Sequence, residues 1–348
     1  MNSVIDTTEI NEFVLTEAEI EKEAKNLHNK LSSVGYDYEV CLDLAKLTLE
    51  IKYFKEKHNA IIVAHSYQTP DIIFGIADYK GDSYELSLVC QDTPAKIILF
   101  CGVVFMAETA KILNPQKTVL IPSQKAGCSL ADSITGEDVK NLKKENPNIP
   151  VVTYINTKAD VKAESDIIVT SANVRNIIEN LNTDELIFIP DKYMTKNMEN
   201  LYPDKKFIGW DGKCIVHEEF TVEKVDFYRK QLGKDLHILV HTECAPEVVG
   251  RADMAGGTGD MIRYIKSHPE AKKFFLVTEC GLSERLKIEF PDREFIMQCN
   301  MCPYMKEITL DNILECLRNP KPENIIELPS NIISKAKKSL QKMFDYSR

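Results

Sequence analysis

The sequence is short of long apolar runs. No window approaches the 18 consecutive apolar residues that a membrane-crossing helix needs, so neither a transmembrane segment nor a membrane partner is expected. The first residues, MNSVIDTTEINEF, carry acids and lack the basic start and apolar run of a secretory signal. A cytoplasmic location is the expectation that follows. Positive charge is in deficit too. Lys and Arg number 43 against 53 Asp and Glu, for a formal net charge of −10. Proteins hold nucleic acids through basic surface that neutralises phosphates, so nucleic-acid binding is not expected as a main role. Small anions stay open, because helix N-termini and bound metals hold them locally. Paired cysteine motifs are scarce. Cys299 and Cys302 make one C-x2-C step, and no second pair completes a closed zinc site.

What is present is a chain of 348 residues, 44% hydrophobic and 28% charged, long enough for two or three globular domains. Its ten cysteines, in a reducing compartment, point to metal, cluster or catalytic use before a disulfide framework. Cys41, Cys90, Cys101, Cys280 and Cys316 read as small buried hydrophobes. Residues 1–50 read as a peripheral helical segment. In TEAEIEKEAKNLHNKL, Thr16 and Glu19 form a capping-box pattern, and Ile20, Ala24, Leu27 and Leu31 follow at helical spacing.

From about residue 58 short apolar runs alternate with amphipathic stretches: AIIVAH, KIILFCG, TVLIP, VVTYIN, DIIVTS, LIFIP, KFIGW, HILVH, KFFLVTE and EFIMQ. Bounded runs of this kind are buried parallel strands, and the stretches between them are the helices of βαβ units. The runs also repeat. NPQKTVLIP, YPDKKFIGW and FPDREFIMQ place Pro115, Pro203 and Pro291 at steps of 88 residues. A cysteine follows each: Cys128, Cys214 and Cys302. A hydroxyl before a helix recurs as Ser83, Ser171 and Thr258. Agreement among independent landmarks implies a triplicated α/β unit of about 88 residues. The expected fold is three homologous three-layer α/β/α domains with parallel sheets about a pseudo-threefold axis, after an N-terminal helical segment. The expected boundaries are 51–136, 137–222 and 223–348, the last with C-terminal helices. Ligands of open α/β sheets lie beyond the carboxyl ends of strands, so the repeated polar groups would converge at the centre.

Those residues permit definite chemistry. Three thiols at equivalent places are either structural cysteines of a triplicated fold or the ligands of one [4Fe–4S] cubane whose fourth iron stays open as a Lewis acid. Ser83, Ser171 and Thr258 sit where N-caps are expected, a position that also binds carboxylate or phosphate. His65, Tyr67, Tyr154, His241 and Glu243 are acid–base candidates, with Glu243 a general base if burial raises its pKa. Glu108 and Lys111, three residues apart on a helix, read as a simple pair.

The ordered motifs AHSYQTPDI, GVVFMAETAKILNPQKTVLIP, AGCSLADS, YINTKADVKAESDIIVTSAN, WDGKCIVHEEF, VHTECAPEVV and CPYMKEITL resemble the quinolinate synthase family over residues 58–318. The resemblance implies condensation of iminoaspartate with dihydroxyacetone phosphate to quinolinate, phosphate and water, in NAD biosynthesis. It implies one [4Fe–4S] cluster per chain on Cys128, Cys214 and Cys302, with the fourth iron binding substrate. It assigns His65 and Ser83 to a carboxylate, and Tyr67 to proton transfer during isomerisation. Tyr154 and Asn156 would line the site near the cluster. Ser171 and Thr258 would contact the phosphate or carboxylate end. His241 and Glu243 would move protons, Glu243 as general base, and His217 would stand behind them. Functional coupling to L-aspartate oxidase or aspartate dehydrogenase, as imine supplier, is implied as well. The sequence departs from the family pattern at Gly257, where a hydroxyl is common, and at Ser66, often Asn or Tyr. Cys299 and Cys302 would form either a regulatory disulfide or an inert neighbour pair. The rival readings are a redox or iron-sensing protein using the same cluster, and a cluster-free protein that binds phosphate esters.

Overall fold

The computed structural model describes residues 14–347. The stretch MNSVIDTTEINEF, read above for targeting, lies outside them. Two helices come first, α1 (Glu17–Leu31) and α2 (Tyr38–Lys57). The capping box of α1 forms as expected, with the Thr16 hydroxyl accepting from Glu19 N–H. Ala24, Leu27 and Leu31 are buried against Cys41 and Ala45 of α2.

Three lobes of one pattern follow. The first runs β1 (Ala60–His65), α3 (Pro70–Gly75), β2 (Tyr79–Gly81), α4 (Ser83–Asp92), β3 (Ile97–Cys101), α5 (Val104–Leu113) and β4 (Thr118–Leu120). The second runs α6 (Gly136–Glu145), β5 (Val151–Tyr154), α7 (Ala159–Glu164), β6 (Ile167–Val169), α8 (Val174–Asn180), β7 (Glu185–Ile189), α9 (Lys192–Leu201) and β8 (Lys206–Ile208). The third runs α10 (Val222–Leu232), β9 (Leu236–His241), α11 (Pro246–Val249), β10 (Met254–Gly256), α12 (Thr258–Ser267), β11 (Lys273–Val277), α13 (Cys280–Glu289) and β12 (Glu294–Ile296). The closing helices are α14 (Leu310–Arg318) and α15 (Ser330–Tyr346).

Each sheet has four strands in the same order: β2-β1-β3-β4, β6-β5-β7-β8 and β10-β9-β11-β12. All the pairings within them are parallel. The chain moves outward from a lobe's first strand in one direction and from its third in the other. The crevice between those two strands is therefore a switch point, where α/β sheets bind ligands. Register makes the lobes equivalent residue by residue. His65 pairs with Gly81, Tyr154 with Val169, and His241 with Gly256, each at the carboxyl end of its strand.

The interior is built from the apolar runs, with Ile97, Ile98, Leu99, Phe100 and Cys101 of β3 all buried. The closing helices tie the lobes together. Asn324 donates its side-chain amide to the carbonyls of Ile121 and Pro122. Helix α14 packs on α2, and α15 packs on α7 and β6. Two local expectations are corrected here. Glu108 and Lys111 do not pair with each other. Lys111 donates to the Lys117 carbonyl, and Glu108 accepts the Ala159 N–H of the next lobe. Nor are the three hydroxyl residues N-caps. Ser83 and Thr258 are the first helical residues of α4 and α12, capped by Asp82 and Gly257, and Ser171 lies in the turn before α8, capped by Asn173.

Leu340 is fully buried in α15, so Leu340→Ala leaves a cavity in the seam between that helix and the second lobe. Urea denaturation is expected to show a loss of about 2–5 kcal/mol.

Candidate active site

One cavity is lined from all three lobes by residues at or just beyond the carboxyl ends of strands. His65, Tyr67 and Cys128 come from the first lobe, Tyr154, Asn156 and Cys214 from the second, and His241, Glu243 and Cys302 from the third. Ser83, Ser171 and Thr258 line the same cavity. The residues singled out in the sequence therefore meet in one place.

The two strand-end histidines are locked the same way. Tyr67 N–H donates to His65 Nδ1 at 3.2 Å, and Glu243 N–H donates to His241 Nδ1 at 3.3 Å. An Nδ1 that accepts has no proton, so each ring carries its proton on Nε2. Burial lowers both pKa values to about 3. His65 and His241 are thus neutral donors lining the cavity, suited to a carboxylate.

A continuous hydrogen-bonded chain crosses the lobes. Tyr67 Oη lies 2.6 Å from Thr278 Oγ1, which lies 3.0 Å from His217 Nε2. His217 Nδ1 lies 3.0 Å from Glu243 Oε2, and Tyr154 Oη donates to Glu243 Oε1 at 2.5 Å. His217 also stacks on His241 at 4.5 Å between ring centroids. Burial, and then the charge of Glu243, raises the pKa of both Tyr67 and Tyr154, so both phenols keep their protons. Glu243 goes the other way. Burial alone would raise its pKa, but His217, His241 and the Tyr154 hydroxyl outweigh burial and hold it below the usual range. The expectation of a burial-raised Glu243 is corrected on that ground: His217 and Tyr154 hydrogen-bond its charged form.

The three thiols of Cys128, Cys214 and Cys302 are free and half-buried. Each sits in a loop that turns two backbone N–H groups on its sulfur: Leu130 and Ala131, Val216 and His217, Tyr304 and Met305. Burial raises all three thiols, Cys128 to about 12, while these N–H groups pull the other way. Such donors stabilise sulfur once it carries negative charge. The Cys214, His217 and Glu243 ligand atoms lie within 4.8 Å of one another, close enough to share a metal ion. One cysteine expectation is corrected: Cys280 is bonded to Cys299 in a disulfide, so it is not an isolated buried thiol. Of the alternatives left open for Cys299, a bond to Cys302 does not form, and Cys302 is a free thiol.

Several residues of the site went unread in the sequence. Thr278 links Tyr67 to His217. Asn197 donates to the carbonyls of Thr242 and Cys244, at 2.9 Å each, and so clamps the backbone on both sides of Glu243. Glu279 is fully buried, and its Oε1 accepts Cys302 N–H at 3.2 Å. Lys306 pairs with that oxygen at 3.1 Å and donates to the Tyr67 carbonyl at 2.5 Å. A signal for Glu279 was available. The 88-residue repeat aligns Val103, Asp191 and Glu279, which are the N-caps of α5, α9 and α13, each beside its lobe's cysteine loop.

Comparison with known proteins places the sequence among named relatives. The family model described as quinolinate synthetase A protein matches residues 49–345. A quinolinate synthase of Sinorhizobium fredii is 46% identical over 277 residues, covering 80% of this chain and 76% of that protein. One from Xylella fastidiosa strain Temecula1 is 44% identical over 289 residues, covering 83% and 84%. One from Caulobacter vibrioides is 43% identical over 305 residues, covering 86% and 82%.

Removing Lys306 leaves Glu279 as a buried carboxylate without its counter-charge. Lys306→Met is expected to lose about 3–5 kcal/mol in chemical denaturation, and the double variant with Glu279→Gln to recover part of that loss. A double variant no more stable than the single one would show that the two side chains are not coupled.

Proposed function

The chain belongs to the quinolinate synthetase A family, and from that premise we propose that it condenses iminoaspartate with dihydroxyacetone phosphate to give quinolinate, phosphate and water, in the cytoplasm, for NAD biosynthesis. The observation that carries the reading is the hydrogen-bonded chain from Tyr67 to Tyr154 through Glu243, lining the cavity that also holds the three free cysteines.

One [4Fe–4S] cluster per chain fits Cys128, Cys214 and Cys302. What supports it is their threefold equivalence, their shared cavity and the paired N–H donors at each sulfur. When bound on three thiolates, such a cluster supplies one iron without a protein ligand, a Lewis acid for substrate oxygens. The chain's own residues do the rest. The Nε2–H groups of His65 and His241, with Ser83, hold carboxylate. Ser171 and Thr258 hold the phosphate or the second carboxylate, helped by the first-turn N–H groups of α12. Tyr154 and Asn156 fix the reactant beside the cysteines. Glu243, ionised, takes the carbon-bound proton of the reacting pair, and His217 and Thr278 connect it to Tyr67, whose phenol exchanges a proton during isomerisation of the triose. Enclosure by three lobes limits the water that would hydrolyse the imine. The imine is a short-lived reactant, so coupling to L-aspartate oxidase or aspartate dehydrogenase belongs to the proposal. A pure electron carrier or iron sensor has no use for this acid–base chain.

Anaerobically purified protein given both substrates is expected to release quinolinate and phosphate in equal amounts; no quinolinate would end the reading. Cys128→Ser is expected to lose iron and activity together while Cys90→Ser, at a buried thiol far from any ligand role, keeps both; iron analysis and turnover decide it. Glu243→Gln is expected to keep its iron and lose at least about a hundredfold in kcat, and wild-type turnover would remove Glu243 from proton transfer.

A further inference from the structure

The residue before each repeated hydroxyl differs among the lobes: Asp82, Thr170 and Gly257. Asp82 caps α4, its Oδ1 accepting from Tyr84 and Glu85 N–H at 2.9 Å each. Its second oxygen, Oδ2, is buried and has no partner. Thr170 Oγ1, at the equivalent place 88 residues on, is also buried and unpartnered. Asp82 is 6% exposed and Thr170 is 2% exposed, and both line the cavity beside Ser83 and Ser171. Buried polar atoms are rarely left unpaired. Two at equivalent positions, in residues of one cavity wall, call for an explanation.

The third lobe makes room for them. A Cβ at Gly257 would lie 2.3 Å from Ser171 Oγ, and one at Gly259 would lie 2.6 Å from Asp82 Oδ2. The missing hydroxyl at 257 is thus replaced by the approach of Ser171 from the second lobe. Asp82 and the start of α12 meet from opposite sides of the seam. With the first-turn N–H groups of the ten-residue helix α12, this wall suits a phosphate. A carboxylate would be out of place there, unless it carries a proton. The charged groups facing Asp82 are Glu85 on its own helix, whose Oε2 accepts Asp82 N–H, and Asp260 on α12, itself paired with Arg263. Burial first, and then the charges of Glu85 and Asp260, raise the Asp82 pKa to about 6, and a bound dianion raises it further.

We propose that Asp82 is the acid that protonates the phosphate as it leaves. The inference rests on the function proposed above and adds a residue to it. A base, Glu243, removes a proton from the hydroxymethyl carbon of the triose, and the electrons of the resulting enediolate move out to form the C=C bond to the phosphate-bearing carbon. The C–O bond to phosphate breaks with its electron pair on oxygen. That oxygen takes the Asp82 Oδ2 proton, and hydrogen phosphate departs past Thr170, Ser171 and Thr258. The Asp82 carboxylate regains its proton from water.

Asp82→Asn keeps the cap and puts an N–H where Oδ2 stands, with no transferable proton. Its kcat is expected to fall about a hundredfold or more, with KM for dihydroxyacetone phosphate within about threefold and the alkaline fall in kcat abolished. Wild-type kcat, or equal changes in kcat and KM with an unaltered pH profile, overturns the proposal. A second measurement needs neither turnover nor a variant. Sulfate, a dianion throughout the range, is titrated into the wild-type full chain by calorimetry. Affinity is expected to rise about tenfold or more from about pH 8 to about pH 5.5 as Asp82 takes its proton, and Asp82→Asn, where folded, to abolish that rise. Flat wild-type affinity, or tightening unchanged in the variant, overturns the proposal. The sulfate result is independent of quinolinate formation, so loss of the parent reading and loss of this inference are told apart.

Discussion

The structure depends on one constraint: three sheets of the same strand order turn the carboxyl ends of their strands toward one cavity. No lobe holds a complete site. The first supplies Tyr67, the second His217 and Tyr154, and the third Thr278 and Glu243, and the hydrogen bonds that join them tie the third lobe to each of the other two. A buried polar chain is tolerable only when its members are satisfied, so the relative placement of the lobes and this hydrogen-bonded chain stand or fall together. Lys306 and Glu279 serve the same end, linking the Cys302 loop to the backbone of Tyr67.

The electrostatics follow from that enclosure. Burial would push a lone carboxyl upward and a lone imidazole downward. The histidines obey, and become neutral Nε2–H donors. Glu243 departs from the rule because His217, His241 and the Tyr154 hydroxyl together outweigh its burial. Asp82, whose two backbone donors are outweighed by burial and two acidic neighbours, follows it. Two carboxyls of one cavity are thus driven apart, one toward base and one toward acid, by surroundings alone.

Much of this was legible in the sequence because triplication repeats every signal. The ten apolar runs are ten of the twelve strands. The two that escaped, β2 and β10, are three-residue edge strands, YKG and MAG, with too little apolar character to stand out. The cysteines, histidines and Glu243 were readable because their residue types announce chemistry. Thr278, Asn197 and Lys306 were not, since their roles come from contacts between lobes that are far apart in sequence. The caps were misplaced by one residue because Asp82 and Gly257 precede the more conspicuous hydroxyls. The Cys280–Cys299 pairing was hidden for a similar reason, with 19 residues of chain between its halves.

The central proposal is that three thiols from three lobes would hold one iron–sulfur centre with one iron free for substrate oxygens. Mössbauer spectroscopy of protein loaded with iron-57, before and after addition of quinolinate, tests it most directly. The account requires a [4Fe–4S] spectrum in which the component of a single iron shifts when the dicarboxylate binds. A spectrum without a cubane, or a cubane unchanged by the ligand, would contradict it.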